Sequence, residues 1–163
     1  MAGRAFTDAA FCLARARLPL AAYQAVLRRL TGALIPETHA QGTWRGHRTF
    51  LVDGSSFSMP DTPELRDHFG TSGRAKPGCS FPVARILALF HAGTGTLLEV
   101  LAAPLRAHEM ASAGAVHTHL GPGHVLVGDR GFCSFVHLAM LAARGAHAVI
   151  RMHHLRWYTL RGQ

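Results

Sequence analysis

The chain of 163 residues has little negative charge and almost no lysine. It contains nine acidic side chains against seventeen basic ones, which leaves a net charge of +8 and an isoelectric point near 11.0. Lys76 is the only lysine, so nearly all of the positive charge is arginine. Because the guanidinium group binds phosphate oxygens through two parallel hydrogen bonds, this balance is typical of proteins with a polyanionic partner. A solvated basic surface in a sequence rich in Arg and Ala is the alternative interpretation.

Cysteines and long apolar runs are also scarce. Cys12, Cys79 and Cys133 lie far apart and form no Cys-x-x-Cys unit, so the sequence predicts neither a disulfide framework nor a zinc finger. No run approaches the roughly 18 apolar residues that a membrane span needs, and the N-terminus does not resemble a signal peptide. We therefore expect a soluble cytoplasmic protein with one domain-sized core.

The hydrophobic pattern predicts a mixed α/β fold. Two helices come first, then a strand, a hairpin of two strands, and finally helices alternating with strands. The predicted helices cover residues 8–17, 20–30, 107–120 and 134–144, and the predicted strands cover residues 49–53, 81–91, 96–102, 124–129 and 146–152. Residues 54–78 are predicted to be irregular. Helices that alternate with strands favour parallel pairing, so we expect a mixed sheet flanked by helices.

Two of the predicted strands end in an aspartate, Asp53 and Asp129. In a mixed sheet of this order the first and fourth strands lie close together, so the two carboxylates can approach each other. Carboxylates at adjacent strand ends repel unless a cation lies between them, and hard oxygen ligands suit Mg²⁺ or Mn²⁺. The alternative is that each aspartate only caps the turn that follows it.

The segments around these aspartates resemble transposases of the insertion-sequence-four family. The similarity extends from about residue 11 to residue 151, and its motifs occur in the family's order and separation. They are Ser58-Met-Pro-Asp-Thr-Pro-Glu64, Phe69-Gly70, Lys76-Pro-Gly78, Phe81-Pro-Val-Ala-Arg85 and Gly128-Asp-Arg-Gly-Phe-Cys-Ser134. The resemblance implies a partial RNase H-like core in residues 47–163. A helical segment in residues 1–46 precedes it, and its arginines are candidates for contact with the DNA backbone, with a solvated helix face as the alternative.

The resemblance also implies a function. Transposases of this family use an Asp-Asp-Glu triad that binds two divalent metal ions, Mg²⁺ or Mn²⁺. Asp53 is similar to the first catalytic aspartate and Asp129 to the second. The implied partner is double-stranded DNA, both transposon ends and target, with a homodimer as the full-length form.

The family's third carboxylate has no equivalent here. In the family it lies in a Tyr…Arg…Glu…Lys helix well beyond the second aspartate, whereas residues 130–163 contain no Asp or Glu. Glu99 and Glu109 precede Asp129 and cannot replace it. We therefore expect a partial catalytic domain, the N-terminal part of a transposase, that is inactive alone. The alternative function is a non-catalytic basic DNA-binding remnant that interferes with an intact transposase.

Basic residues near the two aspartates are candidate phosphate contacts. They are Arg74, Lys76, Arg85 and Arg130. For Arg130 an ion pair with Asp129 or Asp53 is the alternative. The twelve histidines show no spacing typical of a structural zinc site, so we expect surface or partly buried histidines. No phosphate-binding glycine-rich loop or serine nucleophile motif occurs.

Overall fold

The computed structural model describes residues 7–38, 43–71, 80–105 and 109–152. In chain order the elements are α1 (Asp8–Ala16), α2 (Leu20–Thr38), β1 (Thr43–Trp44), β2 (His47–Ser58), α3 (Pro63–Phe69), β3 (Val83–His91), β4 (Leu97–Pro104), α4 (Glu109–Val116), β5 (Val125–Gly128), α5 (Phe135–Ala143) and β6 (His147–Ile150). Single 3-10 turns follow α4 (His117–His119) and β5 (Arg130–Phe132). In the described part of the chain, no helix is long and apolar enough to cross a membrane.

The five longer strands form one mixed sheet in the order β4-β3-β2-β5-β6. The first three pair antiparallel, and β5 and β6 run parallel to β2. The predicted hairpin between β3 and β4 and the predicted parallel pairing of the last strands are both confirmed. The sequence also predicted correctly that the first long strand and the strand before Asp129 are neighbours. This is the expected RNase H-like arrangement, with a short β1 added at the start of β2.

The hydrophobic core lies on one face of this sheet. Phe50, Val52 and Leu126 point from β2 and β5 into it, each less than 6% exposed. Val116 and Leu141 cover them from α4 and α5, and both are about 1% exposed. Burial of a side chain of this size stabilises a fold by about 1.5–3 kcal/mol. The two helices and the turn after β5 are therefore held against the same sheet face.

The opposite face of the sheet is much more accessible. Successive side chains on a strand point to opposite faces, so Leu51 and Phe57 on β2 point away from the core. Leu51 is 39% exposed, Phe57 45% and Val149 on β6 51%. Leu51 and Val149 both lie in one row with Val127, which is their register partner on β5. The described helices thus cover one face of the central strands and leave this row accessible.

The second helix is longer than the sequence predicted. We expected it to end near residue 30 because Thr31-Gly32 resembles a stop signal, but α2 continues to Thr38. The Thr31 side chain donates a hydrogen bond to the Arg28 carbonyl within the helix (3.0 Å) and is itself 8% exposed. A helical glycine costs only about 1 kcal/mol relative to alanine, so Gly32 does not end the helix.

The predicted irregular stretch after Asp53 is also partly regular. Residues 54–58 continue β2 and pair with residues 83–87 of β3. The α3 helix follows, with Pro63 in its first turn and the Thr62 hydroxyl accepting the Leu65 N–H (3.3 Å). Polar residues and glycine lower strand propensity, but the pairing with the apolar β3 outweighs that preference. Residues 72–78 of this stretch lie outside the described residues.

Candidate metal centre

The sheet register brings Asp53 and Asp129 side by side. Val52 on β2 is the register partner of Gly128 on β5, and this is the last pair of the two parallel strands. Asp53 and Asp129 are the next residues on each chain, and Asp129 continues with extended backbone (φ −78°, ψ −178°). Neighbouring strands lie about 4.8 Å apart, so the two carboxylates emerge within one strand spacing of each other.

Both aspartates point to the accessible face of the sheet. Side-chain alternation places Asp53 on the same face as Leu51, and Asp129 on the same face as Val127. Both aspartates are exposed. The carboxyl ends of parallel strands are the usual ligand-binding edge of an α/β sheet. The pair therefore forms an acidic site open to solvent at that edge.

Each carboxylate uses one oxygen to hold the turn that follows it. Asp53 Oδ1 accepts the Gly54 N–H (2.8 Å), and Asp129 Oδ1 accepts the Gly131 N–H (2.8 Å) at the start of the 3-10 turn. The capping role considered from the sequence is thus present. It leaves the other carboxylate oxygen, Oδ2, for a cation, so capping and metal binding are compatible in both residues.

A divalent cation fits the chemistry of this pair but the pair is a small ligand set. Mg²⁺ is commonly bound by one or two carboxylates, with water and substrate phosphate oxygens as its other ligands. Within the described residues, no cluster of three or more His, Cys, Asp or Glu side chains is arranged to hold a metal ion. Asp53 and Asp129 would be the protein ligands, and Glu99 is instead paired with His119 (3.2 Å).

The predicted phosphate contacts differ in how far the structure describes them. Arg130 directly follows Asp129 in the 3-10 turn and is exposed, and no ion pair joins it to Asp129 or Asp53. Arg85 lies on β3 opposite Ser56 and is partly buried. Arg74 and Lys76 lie outside the described residues. The ion-pair alternative for Arg130 is therefore absent from the structure, while the DNA contacts themselves stay predictions.

A polar cavity begins immediately beyond Asp53. Since β5 ends at Gly128 while β2 continues to Ser58, the last part of β2 has no strand beside it on that edge in the described chain. The cavity there has a volume of about 420 Å³ and is lined by Gly54, Ser55, Ser56, Arg85 and Leu105. By side-chain alternation from Val52, Ser56 and Arg85 lie on the core face, and only Ser55 shares the face of Asp53.

A pair of buried histidines behind Asp129 was not singled out from the sequence as part of the site. His137 is 1% exposed, and its Nδ1 lies 2.8 Å from the carbonyl oxygen of Phe132, the last residue of the 3-10 turn. His117 is completely buried and its ring stacks on that of His137, with centroids 4.8 Å apart and planes 4° apart. The sequence offered one signal for His137, which is its position on the inner side of the helix that directly follows the Asp129 turn.

Comparison with known proteins gives the family of this chain. The transposase DDE domain family matches residues 44–160, which includes both aspartates and the five longer strands of the described sheet. The chain belongs to the DDE transposase family. This DDE chain is also 29% identical, over 135 residues, to "Putative transposase InsZ" of Escherichia coli (strain K12). That match covers 82% of this chain and 45% of the relative, so the chain spans about half the length of the relative it matches.

Proposed function

We propose that this chain is part of a DNA transposase of the insertion-sequence-four group. It supplies the first two metal ligands of that enzyme. In the full-length form the enzyme cuts and joins DNA ends. The single observation that supports this role is the register of β2 and β5, since it puts Asp53 and Asp129 at neighbouring strand ends on one accessible face. Duplex DNA as substrate, Mg²⁺ or Mn²⁺ as cofactor, a bacterial cytoplasmic location and a homodimeric full-length form belong to the same proposal.

The two aspartates are proposed to hold the metal ions that contact the reacting phosphate. When bound, divalent cations lower the pKa of water and neutralise charge on a phosphodiester. Asp53 and Asp129 would hold the cations through Oδ2, since Oδ1 of each is bonded to its own turn. These backbone bonds fix the carboxylates before substrate binds, which lowers the cost of ordering the site.

Arg130 is the proposed contact to the DNA backbone nearest the site. It is exposed, directly adjoins Asp129 and forms no ion pair with either aspartate. A guanidinium group next to the cleaved phosphate fixes the strand through phosphate oxygens without reading its sequence. Arg85, Arg74 and Lys76 are proposed to contact phosphates farther along the strand.

These 163 residues are proposed to be inactive, or nearly so, without a further carboxylate. The described residues provide no third acidic ligand beside Asp53 and Asp129, and residues 130–163 contain none in the sequence. With two protein ligands the cations are held weakly and in variable positions, so transition-state charge is poorly neutralised.

The second candidate function is a DNA-binding remnant that occupies the DNA of an intact transposase without cutting it. The net charge of +8 favours this candidate, because phosphate neutralisation alone supplies most of non-specific DNA binding. The two candidates differ in whether metal ions contribute to binding.

A binding experiment on the full chain separates the two candidates. DNA affinity is measured by fluorescence anisotropy with a labelled duplex, in EDTA and in Mn²⁺, for the native chain, Asp53→Asn and Asp67→Asn. Asp67 is an exposed acid of α3 and serves as the control for lost negative charge. The metal-site proposal predicts that Mn²⁺ tightens binding severalfold in the native chain and in Asp67→Asn, but not in Asp53→Asn.

Equal affinity in EDTA and Mn²⁺ for the native chain, together with a steep loss of affinity with salt, contradicts the metal-site proposal and supports the DNA-binding remnant. Catalysis is tested by supplying the C-terminal half of a full-length relative and assaying cleavage of DNA ends in Mg²⁺. Unchanged cleavage after Asp53→Ala contradicts the assignment of Asp53.

A further inference from the structure

The turn that carries Asp129 is closed by a network of hydrogen bonds between residues close in the sequence. Besides the bond from Gly131 N–H to the Asp129 carboxylate, the Phe132 N–H donates to the Asp129 carbonyl (3.2 Å). The Phe132 carbonyl then accepts the Ser134 N–H (2.9 Å). The carboxylate, the 3-10 turn and the start of α5 are thereby linked through one residue, Phe132.

His137 completes this network from the first turns of α5. Its Nδ1 lies 2.8 Å from the same Phe132 carbonyl oxygen, and both residues are at most 2% exposed. A carbonyl oxygen can only accept a hydrogen bond, so Nδ1 carries the proton and donates it. The backbone N–H of His137 donates to the Ser134 hydroxyl (3.1 Å), which fixes the helix start at the same place.

We propose that His137 is a positioning residue for Asp129, which holds the turn after β5 through the Phe132 carbonyl and so keeps the carboxylate aimed at the metal site. The proposal rests on the proposed function for the role of Asp129. His137 does not contact the reacting atoms. Groups bonded directly to a metal ligand change metal affinity about 10–100-fold when they are lost. His137 acts through the Phe132 carbonyl, one link further away, so we expect the lower end of that range.

His117 fixes the ring of His137 by stacking rather than by a hydrogen bond. The two rings are parallel within 4° at 4.8 Å, and neither nitrogen of His117 has a hydrogen-bond partner in the described residues. Because the lone pairs of imidazole lie in the ring plane, parallel rings do not direct them to one point. The pair is therefore unsuited to hold a metal ion between its rings, and His117 acts as a flat packing surface that holds the orientation of His137.

The experiment compares two substitutions in the full chain, without metal. His137→Leu keeps an apolar side chain of similar size and removes the donor, whereas His137→Asn keeps an N–H donor close to the position of Nδ1. The readout is amide hydrogen exchange of Gly131, whose N–H is bonded to the Asp129 carboxylate, divided by exchange of Leu89 in the sheet core. Leu89 corrects for a change in global stability.

We expect His137→Leu to raise the relative exchange rate of Gly131 about tenfold or more, and His137→Asn to leave it within about threefold of the native value. Equal Gly131 exchange in all three proteins overturns the proposal, and so does an equal increase in both variants, since that indicates packing alone. The affinity for Mn²⁺ is measured in parallel, where His137→Leu is expected to lose about tenfold.

The two readouts distinguish failure of this proposal from failure of the proposed function. If the native chain binds no Mn²⁺ at the aspartates, the metal site is wrong, while Gly131 exchange still decides whether His137 holds the Asp129 turn. If Mn²⁺ binds and is unaffected by His137→Leu, the positioning role is wrong and the metal site stands.

Discussion

At the residue scale, Asp53 and Asp129 show why a strand-end aspartate is ambiguous in a sequence. Turn capping and metal binding both favour an aspartate at the end of a strand. Each role uses only one of the two carboxylate oxygens. The structure shows capping bonds from both residues and also places both carboxylates on one accessible face. What separates the two explanations is the neighbouring strand, which a local motif cannot reveal.

His117 makes the stability of the fold depend on pH. Burial, followed by the nearby His137 and Arg144, lowers the pKa of His117 from 6.5 to about 4. The folded chain therefore binds this proton less readily than the unfolded chain does. Its stabilising contribution is complete above about pH 6.5 and is lost as the pH falls from there toward 4.

We predict that His117→Phe, which retains a flat ring and removes the titration, reduces this loss. Between pH 7.5 and pH 4.5 the native chain should lose roughly 2–3 kcal/mol more free energy of unfolding than the variant, at about 1.4 kcal/mol per pKa unit. Urea unfolding at both pH values measures it. The same pH dependence in both proteins contradicts the burial of a neutral His117.

At the element scale, two helix caps of the same chemistry should differ in their effect on stability. The Ser134 hydroxyl caps α5, which carries the buried residues His137 and Leu141. The Thr7 hydroxyl caps α1, in which no residue is buried. We predict that Ser134→Ala lowers the free energy of unfolding by about 1 kcal/mol, whereas Thr7→Ala changes it by less than about 0.3 kcal/mol.

Urea unfolding of both variants, followed by tryptophan fluorescence and by circular dichroism, tests this difference. Equal destabilisation would show that α1 contributes to the cooperative core, contrary to its exposed side chains.

The elements that the sequence predicted well are those with a strong local pattern. The apolar run at residues 124–129 has polar or turn residues on both sides and proved to be β5 (Val125–Gly128). The stretch after Asp53 was mispredicted, because Gly54, Ser55 and Ser56 are strand residues only through pairing with β3. Such pairing is a long-range contact, which outweighs local propensity but leaves no local signal.

The candidate site residues show the same contrast between local sequence patterns and long-range contacts. Asp53 and Asp129 became candidates because each ends an apolar run and because the segments around them resemble the family. His137 was not a candidate because its proposed role depends on a bond to the Phe132 carbonyl and on stacking with His117, which lies in the 3-10 turn after α4. A histidine that holds a backbone group has the same sequence signature as any half-buried histidine in a helix.

At the scale of the whole molecule, helices α4 and α5 and the acidic site lie on opposite faces of one sheet. The described helices α4 and α5 pack on the core face, while Asp53, Asp129 and the row Leu51, Val127 and Val149 lie on the other. This division leaves both carboxylates accessible to solvent. The residues of the hydrophobic core and the residues of the proposed site therefore make few contacts in common. Substitution of either aspartate by asparagine should change the free energy of unfolding little.

The central claim is that Asp53 and Asp129 jointly bind a divalent cation, and titration with Mn²⁺ followed by electron paramagnetic resonance tests it most directly. The native chain and the Asp67→Asn control are predicted to bind Mn²⁺ with the same affinity. Asp53→Asn and Asp129→Asn are each predicted to lose at least tenfold in affinity. Affinities unchanged in both site variants would contradict the account.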